Sequence, residues 1–143
     1  MNSHAAARRW HVIVALVARL IFAGFFAMAA AFKFVDMNAT AAYIASVGFP
    51  FPLLLAWLAA FFEFALALCF LTGAFSTEAS LLAAAYVLFL ALVFHGPARW
   101  ESDRIEFRFF LLHLTLIAGL LFAAVHKVGW PGDRTKVADR PFD

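Results

Sequence analysis

Arg19, Glu63, Tyr86 and His113 are the side chains whose chemistry stands out, because each interrupts a long run of Phe, Leu, Ala and Val. A charge in such surroundings costs several kcal/mol unless it has a partner or a task. Counted from the ends of their runs, Arg19 and Glu63 both lie about nine residues deep, near 13 Å at 1.5 Å per residue, so equal depth predicts that they pair. Tyr86 falls near the middle of the third run and His113 about eight residues into the fourth, within roughly two turns of the same level. All four runs thereby contribute to one polar layer. Such a layer can be structural, a buried ion pair fixing helix register with Tyr86 as a packing aromatic. It can also be catalytic, since an imidazole and a carboxylate together can exchange protons with a ligand near neutral pH.

A second polar group gathers at the other ends of the runs: Lys33, Asp36, Tyr43, His95, Arg99 and Arg108. Lys and Arg occur at such ends simply because they snorkel to lipid headgroups. His95 is more specific, since it stands immediately before Gly96-Pro97 and can share a mouth with Lys33 and His113. Two imidazoles over a cationic rim suit a quinone headgroup or a small anion, with Lys33, Tyr86 and His95 as binding residues and Arg19, Glu63 and His113 as the catalytic layer. The five histidines follow no metal-ligand spacing, so no metal site is expected. A b-type haem between His11 and His126, or between His95 and His113, is a disfavoured alternative. Cys69 is the single cysteine, which excludes an internal disulfide and any dithiol redox pair. Phosphate-binding loops, dinucleotide fingerprints and nucleophile elbows are absent from the sequence. Any electron carrier must therefore come from a partner.

The elements that position these residues follow from composition. Of 143 residues, 66% are hydrophobic and 14% charged, against about 45–50% apolar and about 25% charged in soluble domains. A soluble chain of this length could not bury the excess. Four apolar runs, at residues 10–34, 51–72, 79–95 and 105–126, each have the length needed to cross about 30 Å of hydrocarbon. The expected fold is an all-α integral membrane four-helix bundle with antiparallel up-down spans, one domain over residues 1–130 and a polar tail over 131–143. Gly48, Pro50, Pro52, Gly73 and Gly96-Pro97 punctuate the runs, with Ser76 or Thr77 as the expected N-cap of the third. Small residues at helical spacing, Ala23, Ala27 and Ala31 or Ala56, Ala60 and Ala67, offer faces for close packing. The first run exceeds the apolar core of a signal peptide and contains Arg19, so it reads as a retained span. Trp10, Trp100 and Trp130 fall at span ends, as in an aromatic belt. Basic residues number six on the side of the termini and four on the other, which favours cytoplasmic termini in a cell inner membrane. The net charge of +2 gives no reason to expect a nucleic-acid partner.

The order and spacing of certain segments resemble the DoxX family: Arg19-Leu20-Ile21-Phe22 to Phe32-Lys33-Phe34, Tyr43-Ile44-Ala45 to Gly48-Phe49-Pro50, Glu63, Leu71-Thr72-Gly73 and Phe94-His95. The similarity covers about residues 19–122. It implies a compact four-helix membrane bundle associated with redox enzymes, the family being named for the small subunit of a thiosulfate:quinone oxidoreductase, with quinone as acceptor. By the resemblance, the family's helix-1 arginine and lysine are Arg19 and Lys33, its helix-2 glutamate is Glu63 and its helix-3 terminal histidine is His95. The sequence departs from the family pattern at Ala30, Leu66 and Ala67, where glycines are common, and at His113, where an asparagine is. Two roles follow: a membrane subunit serving an oxidoreductase partner at its quinone-binding or membrane-docking step, or a non-catalytic accessory subunit of a larger respiratory or photosynthetic complex. The sequence does not decide whether the chain is itself an enzyme.

Overall fold

The computed structural model describes residues 3–100 and 104–125. The expected polar tail, Trp130 and His126 lie outside the described residues. Five α-helices and one short 3-10 turn make up the rest: α1 (Ser3–Val35), α2 (Met37–Ser46), α3 (Pro52–Thr72), α4 (Ser76–Phe94), the turn Pro97–Arg99 and α5 (Arg104–Val125). The described residues contain no strand. Four helical stretches, Arg9–Val35, Pro52–Thr72, Ser76–Arg99 and Arg104–Val125, are long and apolar enough to cross a membrane. Their outer faces carry large exposed side chains, with Phe32 69% and Phe122 66% accessible. That surface is untenable in water and ordinary in lipid.

Helix α2 occupies what the sequence reading left as a connection. Asp36 caps it, its Oδ1 accepting from the Ala39 N–H at 2.9 Å, and Gly48 at φ 86° and the prolines beyond end it. Ala41 and Ile44 on one face pack with Ala56 of α3 and Phe94 of α4, so this short helix is held by tertiary burial. Helix α3 begins with Pro52 in its first turn and ends at Gly73, whose φ of 76° suits a residue without Cβ. The start of α4 corrects an expectation. Neither Ser76 nor Thr77 is its cap; Phe75 holds that position at φ 51° without a side-chain cap bond, and Ser76 already lies inside the helix.

The core joins α1, α3, α4 and α5 through Phe26, Leu66, Phe70, Ala83, Val87 and Leu120. Phe26 and Phe70 stack with centroids 5.8 Å apart and planes 8° from parallel. Small residues bring the backbones together as expected at Ala56, Ala60 and Ala67, all buried. On α1 the buried face is Ala23, Phe26 and Ala30. Ala27 and Ala31 are exposed, because the contact stripe advances by three and four residues and not by four alone. Helix α1 packs mainly on α3, and α5 mainly on α4.

Candidate functional site

The residues at the C-terminal end of α1, on α2, in the first half of α3, along α4 and in α5 enclose a cavity of ≈ 530 Å3. Its walls are largely apolar, with Phe49, Phe89 and Leu90 among them, and Lys33, Tyr86, His95 and His113 supply its strongest polar groups. Beneath Lys33 and Tyr86 lies Glu63, 2% exposed. Lys33 Nζ donates to Glu63 Oε2 at 2.6 Å and to Oε1 at 2.8 Å, while Tyr86 Oη donates to Oε1 at 2.8 Å. The same ammonium reaches the Ala29 carbonyl at 3.5 Å, one turn back on α1. Phe62 meets the Tyr86 ring edge-on at 5.0 Å, which fixes the phenol over the carboxylate. Each buried polar atom here has a partner, as a mid-membrane charge requires.

At another part of the cavity, His95 Nδ1 and Glu106 Oε2 lie 2.5 Å apart, joining the end of α4 to the first turn of α5. His113 Nδ1 is 2.7 Å from the Phe109 carbonyl. A carbonyl only accepts, so Nδ1 carries the proton and the Nε2 of a neutral ring is left as an acceptor. The His95 and His113 rings touch, with centroids 4.9 Å apart. The Trp100 indole donates to the His95 carbonyl at 2.8 Å and closes the end of α4. Tyr43, on α2, stacks on Phe94 at 5.0 Å and lines the same cavity. Burial pushes its phenol above the ordinary value of 10.0, the Glu106 carboxylate adds to that rise, and Arg99 opposes it.

One expected pairing is overturned. Glu63 pairs with Lys33, and Arg19 instead donates through Nε to the Phe70 carbonyl at 3.1 Å and through Nη2 to the Leu71 carbonyl at 3.3 Å. The depth count failed because it aligned the run ends. Lys33, late in α1, meets the middle of α3, so Arg19 falls beside the last turn of α3, and α1 runs on past the α3–α4 turn. Arg19 therefore belongs to a second cavity of ≈ 510 Å3, together with His11, Ser76 and Gly119. Gly73 accommodates it, since a Cβ there would overlap the guanidinium. The single expected polar layer is in fact two sites, one holding Lys33, Glu63, Tyr86, His95 and His113, the other Arg19. Glu106 escaped the sequence reading, because an acid in the first turn of a helix between two arginines reads as an ordinary dipole partner.

A family model described as DoxX matches residues 14–96. The chain belongs to the DoxX family. No curated protein and no solved structure matches it. The matched segment of this DoxX chain holds Arg19, Lys33, Glu63, Tyr86 and His95 and ends one residue after His95. His113, which lines the cavity from α5, and Glu106, which meets His95, lie beyond that segment. The chain is a multi-pass membrane protein by its four apolar helices and its family.

Proposed function

We propose that the cavity lined by Lys33, Tyr86, His95 and His113 binds the headgroup of a membrane quinone and that the chain is the quinone-binding membrane subunit of an oxidoreductase. The observation that carries this reading is the Lys33–Glu63–Tyr86 cluster under an apolar chamber that also presents His95 and His113. A quinone headgroup is a flat apolar ring with carbonyl oxygens at opposite edges. It needs hydrogen-bond donors at two places and greasy walls between. Lys33, joined to Tyr86 through Glu63, and His95 stand at two such places, since His95 follows Tyr86 by nine residues, about 13 Å of rise, and Phe49, Phe89 and Leu90 lie among the walls.

Reduction of a quinone to a quinol takes up two electrons and two protons. The electrons come from the partner's redox group, because Cys69 as the only cysteine cannot form a dithiol pair. This chain handles the oxygens and protons. The Lys33 ammonium meets negative charge as it develops on one oxygen, and Glu63, itself held by the Tyr86 hydroxyl, positions it from below. His113, its Nδ1 committed to the Phe109 carbonyl, exchanges protons through Nε2. His95 is oriented by Glu106, whose side chain is 20% exposed and links the cavity to the outside. Glu63 therefore acts through Lys33 and not, as equal depth suggested, in partnership with Arg19.

The partner is a redox complex of the cell's inner membrane, with the termini of this chain on the cytoplasmic side, where the sequence has the greater number of basic residues. A reporter fused after Asp143 that works only in the cytoplasm is expected to be active, and one inserted between Arg99 and Arg104 inactive. The deciding experiment for the site is native purification in mild detergent, followed by solvent extraction and chromatography of bound quinone. Quinone at a fixed ratio to the folded chain, lost on Tyr86→Phe and Lys33→Met, supports the reading. A chain that co-purifies with a large complex and takes up no quinone from saturated micelles is an accessory subunit.

A further inference from the structure

The cavity around Lys33 and His95 is closed by apolar packing at one end and carries titratable groups at the other. Phe62 and Tyr86 of its wall, and Phe22 of the second cavity's wall, pack against the same buried cluster. That cluster includes Phe26, Val87 and Leu120, each at most 2% exposed. The buried polar side chains among the described residues are Glu63, beneath the first cavity, and Ser80, which lines the second and donates to the Ser76 carbonyl at 2.7 Å. Leu66, Ala67 and Phe70 of α3 and Ala83 and Ala84 of α4 separate the two. A water finds too few polar partners in such packing to stay there. Toward the α3–α4 turn, therefore, the described residues offer a proton no path.

The other end differs. There Ala56, early in α3, packs with Phe94 at the end of α4, and His95 Nδ1 meets Glu106 Oε2 in the first turn of α5. The Glu106 side chain is 20% exposed, and its neighbours Arg104 and Arg108 on α5 are exposed as well. With Trp100, bonded to the His95 carbonyl, these arginines mark a membrane surface. Tyr43 faces Glu106 from α2, within reach of its charge and of that of Arg99 in the 3-10 turn. Inward, the His95 ring touches that of His113, centroids 4.9 Å apart, and both line the cavity. His113 stands two turns of α5, about 10 Å, beyond Glu106.

An imidazole takes a proton on one nitrogen and releases one from the other. A protonated Glu106 gives its proton to His95 Nδ1, and Nε2 of that ring releases one to a ligand oxygen or to Nε2 of His113. Water at the surface then restores the Glu106 proton, and the His95 ring returns to its first tautomer before the next transfer. We infer that the ligand of this cavity exchanges protons with one membrane face only, that of the α4–α5 connection, and that they pass through Glu106, which acts on the ligand by way of His95. This rests on the quinone reading and adds to it the face that supplies the protons. A quinone reduced here takes both protons from that face, and a quinol oxidised here returns both to it, the electrons passing to or from the partner's redox group. With the termini in the cytoplasm, that face is the outer one.

The purified chain, tagged after Asp143, is sealed into liposomes with a bound alkyl hydroxynaphthoquinone, a quinone whose ring hydroxyl changes colour with protonation, and excess probe is removed. Protease added outside counts the chains whose tag faces outward, and the pH is then lowered outside only, by rapid mixing. A fast colour change is expected from the chains whose tag is protected, and a slow one from the rest as protons leak across the bilayer. Glu106→Gln, which keeps a link between α4 and α5 but carries no proton, should leave the affinity for the probe unaltered. It should slow the fast phase about a hundredfold, the scale of one placed acid–base group. His11→Leu, in the second cavity, should change neither quantity. A fast phase that is absent, that follows the digested fraction, or that is undiminished in Glu106→Gln overturns the inference and leaves the quinone reading standing. If Glu106→Gln does not fold, His95→Gln replaces it, with the same slowing expected and an undiminished fast phase again overturning the inference. A chain that takes up no probe displaceable by a short-chain quinone overturns the quinone reading and this inference with it.

Discussion

The two cavities are nearly equal in volume, ≈ 530 and ≈ 510 Å3, yet each holds a cation by a different kind of contact. Around the first, Lys33 is neutralised by a carboxylate on the neighbouring helix, and a phenol completes that carboxylate's shell. Around the second, Arg19 rests on backbone carbonyls at the end of α3, where the helix dipole is negative. In the middle of α3 the backbone carbonyls are taken up by the helix and a carboxylate offsets the cost of the ion, whereas the last turn of a helix has carbonyls available to a cation.

Breaking the deep pair should have the largest effect. Lys33→Met strands the Glu63 carboxylate, and Glu63→Leu strands the ammonium, so each single change should cost about 3–5 kcal/mol, while the double change Lys33→Met with Glu63→Leu should cost less than either. Thermal unfolding of the detergent-solubilised variants measures this. If the double variant is as unstable as the sum of the singles, the pair is not a coupled unit. Arg19→Leu in the Glu63→Leu background should show no such coupling, because the two residues occupy different cavities.

Tyr86→Phe is expected to cost about 1.5–3 kcal/mol, the worth of one hydrogen bond to a charged group, with loss of bound quinone as its more sensitive readout. A stability change as large as that of Glu63→Leu would mean that the phenol, and not the ammonium, is the carboxylate's main support. Gly73→Ala addresses the second site. It places a Cβ at φ 76° and into the Arg19 guanidinium, and should destabilise by about 1–2 kcal/mol from backbone strain alone. The same change in melting temperature should appear in an Arg19→Ala background if strain alone is responsible, and a smaller one if displacement of Arg19 contributes.

The smallest effect concerns pH. The Tyr43 phenol, outside the spans, titrates above its unfolded value of 10.0 in the folded chain. Its contribution to stability is therefore intact below about pH 10 and is lost as pH rises toward the raised folded value, because the unfolded chain releases the proton first. Tyr43→Phe should flatten the decline in stability above that pH. Absorbance titration of the native protein should show that one of its two tyrosines loses its proton later in the wild type than after unfolding. An unaltered alkaline decline in Tyr43→Phe would assign it to another group.

Some residues stood out before any contact was known. Lys33, Tyr86 and His95 were legible as binding candidates and His113 as a catalytic one because each is a polar side chain beside or within an apolar run, and all four line one cavity. Glu63 was legible as a group needing a partner, but the partner was misassigned. Asp36, which caps α2, was read as an ordinary residue of a helix end, and Glu106, which holds His95, was not singled out. Nothing local distinguishes an acid that caps or orients from one that only faces solvent.

The sequence by itself determined the number and approximate extent of the spans, because crossing hydrocarbon is a requirement on length and composition along one segment. It also determined that a charge as deep as Glu63 must be paired. Only the tertiary structure decided with what. The vertical offset of α1 against α3 depends on how Ala23, Phe26 and Ala30 seat against Leu66, Ala67 and Phe70, and the apolarity of each run does not say which level of α1 meets Glu63, that of Arg19 or that of Lys33. The placing of α2 over the cavity is likewise a matter of burying Ala41 and Ile44 against helices distant in sequence, which no local pattern encodes.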